Sequence, residues 1–236
     1  MTDSGTKIAT LTITRYPGWA VPFAFLSMVI FRLPLLFSRK LSFWRLMGSG
    51  KNGTFDKNPD LKQWALLGVL DAAFTPDYLK NNSHQDVLKK TYGIFIAGWI
   101  RLFCKQFHTY LLQPIESHGK WNGKEVFGTL PKTSDYAGEI AVMTRATIRL
   151  SKLGRFWEHV PEAAAEMVRA EGFIKSYGVG EWPWIKQATF SIWKTKEDMR
   201  NFAYKSQYHK EVIRKTHAEN WYSEEMFVRF RVLNKF

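Results

Sequence analysis

His209 stands on what reads as the apolar side of a helix. Met199, Phe202, Ser206, His209, Ile213 and Thr216 follow one another in steps of three and four, which trace a single helical face. An imidazole in such a stripe is either a core histidine whose ring nitrogens are satisfied by neighbours or a ligand to a metal or haem iron. A second constellation lies in MTRATIR, residues 143–149. On a strand, Arg145, Thr147 and Arg149 share one face. Two guanidiniums and a hydroxyl are costly to bury without an anion. The anion is either part of a bound ligand or a carboxylate such as Glu181 or Glu139, unless the face is simply exposed. Gln187, Thr189 and Ser191 make a similar polar face on a following strand.

Other chemistries fail on spacing. GSGKNG looks like a phosphate loop, but Lys51 is not followed by Ser or Thr. GVGEWPW lacks the third glycine of a dinucleotide fingerprint, and no Gly-x-Ser-x-Gly elbow occurs. Cys104 is the sole cysteine, so an internal disulfide and a cysteine-rich zinc site are both excluded. A reducing, cytoplasmic setting fits that count, and no secretory signal is evident.

Lys and Arg number 34 against 21 Asp and Glu, a net charge of +13. That balance suits an anionic membrane, an acidic protein partner or nucleic acid. The basic residues are spread along the chain, with no zinc-finger spacing, RNA-recognition signature or basic arm, and nucleic acid is set aside. Ten Trp and eighteen Phe offer large flat surfaces for a core or a long apolar ligand. The block WAVPFAFLSMVIFRLPLLF, residues 19–37, is interrupted by Arg32, Pro22 and Pro34. It reads first as a buried helix and second as a peripheral contact with an anionic leaflet.

The elements that must position these groups repeat. IATLTITRYPG and IAVMTRATIRL both alternate like strands. Each precedes a helical segment, a glycine pair, a further strand opening on Lys-Gln (Lys62-Gln63, Lys186-Gln187), a helix and a last strand. The order β-α-β-β-α-β thus occurs twice, the split βαβ or ferredoxin-like pattern. The expected fold is α+β, with two ferredoxin-like halves forming a barrel of the dimeric α+β type within one chain. Residues 1–122 form the first half, 123–138 a linker, and 139–236 the second half, which carries the site. Residues 93–107 have no counterpart and read as an extra helix or an extended strand entry.

Six stretches, FWRLMGSG, MTRATIR, RFWEHVP, GVGEWP, QATFSIW and WYSEEMFVRF, fall in an order that resembles the spheroidene monooxygenase, or acyclic carotenoid 2-ketolase, family. The resemblance runs from Ile8 to Phe230. It implies a haem-containing monooxygenase that oxidises a long apolar substrate, an acyclic carotenoid, with dioxygen and electrons from a ferredoxin-like donor. The family pattern has a histidine twelve residues before the tryptophan of the last stretch, which here is His209 before Trp221. His209 would then be the axial ligand, Phe202 and Ile213 would shield the ring, and Gln187 would line the pocket. Arg145 and Arg149 would be the distal groups. The segment NNSHQDVLKKTYGIFIAGWIRLF departs from the pattern and puts the substrate in doubt. Two alternatives stand beside this reading: a haem enzyme of another class on the same fold, such as an aldoxime dehydratase-like lyase, and a non-catalytic haem- or lipid-binding protein. The oligomeric state is not legible.

Overall fold

The computed structural model describes residues 7–51, 56–71, 82–205 and 207–236, with the side chains of 205 and 207–209 outside the description. The first half runs β1 (Ile8–Arg15), α1 (Val21–Ile30), α2 (Arg32–Leu36), β2 (Leu41–Gly50), β3 (Pro59–Leu70), α3 (His84–Tyr92), α4 (Ile94–Phe103) and β4 (Gln106–Gly119). The second runs β5 (Ile140–Ile148), α5 (Leu153–Arg169), β6 (Phe173–Trp182), β7 (Lys186–Trp193), α6 (Lys196–Lys205), α7 (Gln207–Ala218) and β8 (Tyr222–Lys235). The strands close into a barrel in the order β1-β3-β2-β6-β7-β5-β8-β4. Each half alone has its fourth strand beside its first, then its third, then its second. That is the ferredoxin-like order, and the duplicated pattern read from the sequence is the observed one. Residues 93–107 are chiefly the extra helix α4, set off from α3 by Gly93 at φ +92°, a backbone region that favours glycine.

Alternation fixes which residues fill the barrel. On β1 the set Ala9, Leu11, Ile13 points inward, and β5 and β7 send Ala141, Met143, Ala188, Phe190 and Ile192 to join it. The two halves meet well along β4–β8 but poorly along β2–β6, which pair only at Gly48–Gly180 and Ser49–Val179. The expected linker is no spacer. Trp121-Asn122-Gly123-Lys124, which leads from the first half into residues 123–138, is a tight hairpin with positive φ at both central residues, the signature of a type I′ turn. Trp121, Val126 and Phe127 are buried in the barrel core, so the segment joining the halves plugs the barrel they form.

The outer faces of the two halves are covered by helices, but differently. On the first half, Gly68 leaves room for Tyr92 of α3, whose ring lies 2.9 Å from where a Cβ would sit. The Tyr92 hydroxyl bonds to Thr10 Oγ1 at 2.8 Å and donates to the Leu66 carbonyl at 3.2 Å. Thr12 and Thr109 bond each other beside it at 2.9 Å. Burial pushes the Tyr92 phenol up to about 12. Val87, Leu88, Ile96, Ala97 and Ile100 pack around it, and this face is filled.

Candidate functional site

The outer face of the second half is not filled. β5 turns Thr144 and Ala146 outward, and β7 turns out Gln187 and Thr189, with Thr144 opposite Thr189 and Ala146 opposite Gln187. On the far side of β7, Gly178 and Gly180 are the partners of Thr189 and Gln187. The sheet floor is therefore built of small and polar residues. Above it runs α5, whose residues Phe156, His159, Val160, Ala163, Ala164 and Met167 recur in steps of three and one, a helical stripe facing the sheet. Ala163 and Ala164 face the small residues of the floor, and a cavity of about 150 Å³ is left there. Val212 of α7, Trp221 and Tyr222 close its end.

The polar groups of this slot are held in place. The Gln187 amide lies over Gly180, where a Cβ would meet its nitrogen at 2.8 Å, and it donates to the Trp182 carbonyl at 3.0 Å. The His159 ring stacks on buried Trp221 at 5.5 Å and 10° between planes. Burial raises the Tyr222 phenol to about 12, which keeps it neutral. Pro161 sits inside α5 and removes one backbone donor from that helix next to the slot.

Gln187 is thus brought to the slot together with Thr189. His209 belongs to α7, one turn before Val212, and its side chain lies outside the described residues. Ile213 is half-buried beside Val212 and does not line the slot. Phe202 is on α6, stacked on Trp193 at 5.2 Å in a separate cluster with Met199 and Val142. The single stripe expected from Met199 to Thr216 is shared between two helices, and that carries Phe202 away from the slot.

The arginine pair is the main correction. Arg145 lies between outward-facing Thr144 and Ala146 on β5, so it faces the barrel interior on the other side of the sheet from the slot. It is 1% exposed. Its guanidinium donates to Glu181 at 3.3 Å, to Asn122 at 3.1 Å and to Glu224, and it stands 5.3 Å from the centre of the Trp121 ring. Glu181 also accepts from Arg45 at 2.7 Å and from the Trp121 indole at 2.9 Å. Glu224 accepts the backbone N–H groups of Asn122 and Gly123 at 2.9 and 2.7 Å. Burial alone would raise the Glu224 carboxyl; those two N–H groups and Arg145 outweigh it and hold it low. Arg149 lies just past the end of β5 and is exposed. Neither arginine reaches the slot.

His159 is the residue that sequence reasoning passed over. It stands inside RFWEHVP, and the stripe from Phe156 to Met167 was the signal that could have found it. A second opening lies where β2 and β6 part, a cleft of about 1230 Å³. Arg15, Lys51, Lys62, His108 and Lys175 line it beside Val21 of α1, and Ser176 borders both cleft and slot.

No family model matches the chain. It is 34% identical over 203 residues to a spheroidene monooxygenase of Cereibacter sphaeroides, covering 86% of this chain and 59% of that one. It is 28% identical over 228 residues to a spheroidene monooxygenase of Rhodobacter capsulatus, covering 96% of this chain and 90% of that one. The chain therefore spans less than two thirds of the length of the Cereibacter protein. Among solved structures, aldoxime dehydratase OxdRE in complex with butyraldoxime superposes with a TM-score of 0.58 at 8% identity, over 98% of this chain and 81% of that one. A second aldoxime dehydratase structure gives 0.57 at 9% identity, over 96% and 81%. These two likenesses concern the fold alone.

Proposed function

We propose that this chain, a relative of the spheroidene monooxygenases, is itself a monooxygenase that oxidises an acyclic carotenoid or a similar long apolar substrate with dioxygen, using haem held in the slot under α5. The observation that carries the reading is the similarity to two such enzymes over nearly the whole chain. The slot adds a place of suitable chemistry. Its walls are mostly apolar, and its floor carries an amide and hydroxyls.

The fit to haem is one of chemistry before volume. A space of about 150 Å³ is smaller than the roughly 300–1,000 Å³ of most small-molecule pockets. A porphyrin enters this slot only if α5 stands further from the sheet. That displacement would loosen the contacts of Phe156 and Val160, the two buried residues of α5, with Ile148 and Trp221. His209 would hold the haem iron from α7, since helical spacing puts position 209 on the face that carries Val212 and Thr216. His159, which lines the slot, is the competing donor. Bound haem iron would supply the dioxygen chemistry, tuned by the polarity of the pocket around it. The chain's own part is to exclude water with Phe156, Val160 and Met167 and to offer hydrogen bonds from Gln187 and Thr189. Electrons would come from a separate donor, and a surface of this charge suits an acidic ferredoxin-like protein.

The test has two stages. Haemin is titrated into the purified protein and the Soret band followed for parent, His209→Ala and His159→Ala. The reading expects a stoichiometric Soret complex whose ligand-field signature is lost in His209→Ala alone. Loss only in His159→Ala transfers the ligand role, and no complex in the parent removes haem from the proposal. The loaded protein is then given an acyclic carotenoid, a chemical reductant and isotopically labelled dioxygen. Label in a ketone product supports the oxygenase; conversion of an aldoxime without oxygen uptake would instead favour the lyase class.

A further inference from the structure

The cover of the first half exposes what a soluble surface ordinarily hides. α1 and α2 lie against α4 through Phe23 stacked on Phe103 at 4.3 Å and Phe31 edge-on to Trp99 at 6.0 Å. Their inner faces are buried: Ala24, Phe31 and Leu35 from α1–α2, Ile96 and Ile100 from α4. Their outer faces are apolar too. Val29, Leu33, Leu36 and Phe37 are 63–81% exposed, and Ile94 and Leu102 of α4 are 79% and 71% exposed. With Trp19, Phe25, Leu26 and Phe95 they make ten of the eighteen large apolar side chains that stand well exposed among the described residues. Scattered apolar residues need no explanation, but a contiguous group of this kind marks an interaction surface.

The charges carried by the segments that build this face are of one sign. No Asp or Glu occurs between Asp3 and Asp56, or between Asp86 and Glu116, the two stretches that supply α1, α2 and α4. The same stretches carry exposed Arg32, Arg39, Arg101 and Lys105. Cations flanking an apolar surface, with no acid in the same segments, match the boundary between acyl chains and anionic headgroups. A face built for a second copy of a chain this basic would bring like charges together around its edge.

We infer that the outer face of α1, α2 and α4 docks the protein onto an anionic lipid leaflet. Gly18–Leu36 is long and apolar enough to cross a membrane by length and composition, with a mean hydropathy of 1.8. It is nevertheless fastened to the barrel by its buried residues, and Arg32 interrupts its last third. The helices therefore lie in the plane of the interface with their outer side chains among the acyl chains, and the barrel remains in water. The inference stands on this surface alone and is independent of haem, carotenoid or oxygen.

The experiment uses the purified full chain without cofactor or substrate and measures co-sedimentation with phosphatidylcholine vesicles, with and without phosphatidylglycerol. Binding to the anionic vesicles should exceed binding to neutral ones by about tenfold or more and fall as salt rises. The double variant Leu33→Asp/Phe37→Asp should lose about tenfold or more in binding while keeping the parent's circular dichroism and thermal midpoint, both side chains being solvent-exposed. Arg32→Gln/Arg101→Gln, which leaves the apolar face intact, should weaken binding to anionic vesicles only. Equal binding by parent and Leu33→Asp/Phe37→Asp overturns the inference. So does a parent that ignores vesicles but sediments as a dimer which the same variant dissociates, because the face would then belong to a second copy.

Discussion

Replacing Arg145 with Leu separates a structural arginine from a chemical one. The guanidinium is 1% exposed and joins Glu181 on β6 to Glu224 on β8, with Asn122 of the plug as a third partner. Removing one member of a buried ion network typically costs about 3–5 kcal/mol, because a charge is left without compensation. Here both carboxylates keep other donors: Arg45 and the Trp121 indole for Glu181, two backbone N–H groups for Glu224. The loss should therefore fall near the lower end, about 3 kcal/mol. The stacking of the guanidinium on Trp121 adds up to about 1–2 kcal/mol to what is lost. Urea denaturation followed by tryptophan fluorescence reads this as a lower midpoint at unchanged slope. The triple variant Arg145→Leu/Glu181→Gln/Glu224→Gln removes the stranded charges and should regain more than half of the loss. Activity and ligand affinity per folded molecule should stay within about threefold of the parent, since the side chain is on the opposite side of the sheet from the slot. A stability change below about 1 kcal/mol together with collapse of activity would refute this reasoning and return Arg145 to the reaction.

Three further outcomes are expected. Glu116 is 2% exposed and accepts from Lys196, Arg229 and Ser134. Burial would raise its carboxyl, but these hydrogen bonds outweigh burial and hold it at about 2. A carboxylate depressed on folding adds stability above its unfolded value, here about 3 kcal/mol, and that contribution should fade as pH drops from about 4.5 to 2. The midpoint of Glu116→Gln should be lower than the parent's at pH 7 and should lose that part of its acid dependence, as measured by chemical denaturation across the range. Tyr92→Ala should cost about 3–5 kcal/mol and leave a cavity between Gly68 and Thr10, readable as a fall in thermal midpoint, with Tyr92→Phe losing about 1 kcal/mol for the hydroxyl bonds. Ala164→Phe fills the slot from α5 and should abolish the haemin Soret complex of the parent while shifting the thermal midpoint by only a few degrees; unchanged haemin affinity would place the cofactor elsewhere.

The sequence carried the fold further than the site. Two rounds of β-α-β-β-α-β were legible because strand alternation, helix formers and glycine breaks agreed at each level. The plug was missed although Asn122-Gly123 is a strong hairpin signal; a segment rich in Gly and Lys looked like a spacer, while Val126 and Phe127 inside it and Trp121 just before it are buried. The paired Lys-Gln openings of β3 and β7 look equivalent, yet Gln63 faces the barrel interior and bonds Ser49 at 2.7 Å, whereas Gln187 faces the slot. A shift of one residue exchanges the faces of a strand, and nothing local in the sequence reveals it. The same limit applies to MTRATIR: period two grouped Arg145 with Thr147 correctly, but which face was the barrel interior depended on the seven other strands. Glu181 was legible as a carboxylate partner; Glu224 and Asn122 meet Arg145 only because β8 returns beside β5 and the hairpin folds under both.

The duplicated halves show why a site arises on one outer face and not on the other. Both sheets present small or hydroxylated residues at their centre: Thr10, Thr12 and Gly68 in the first half, Thr144, Gly178 and Thr189 in the second. In the first half, α3 sends Tyr92 into that hollow, and its hydroxyl satisfies the threonines that the ring covers. The second half places alanines over the hollow, Ala163 and Ala164 on α5, and the threonines face open space. A tyrosine in one half and an alanine pair in the other thus decide which hollow is closed. Repetition of one strand order supplies two equivalent hollows at no extra cost in folding pattern. The filled copy stabilises the barrel, which leaves the other free to trade packing for a ligand. That trade is visible on α5, which buries only two of its seventeen residues, against four of the nine in α3. The half whose hollow is filled also carries the apolar outer helices, so the exposed apolar face and the open slot lie on different halves of one barrel.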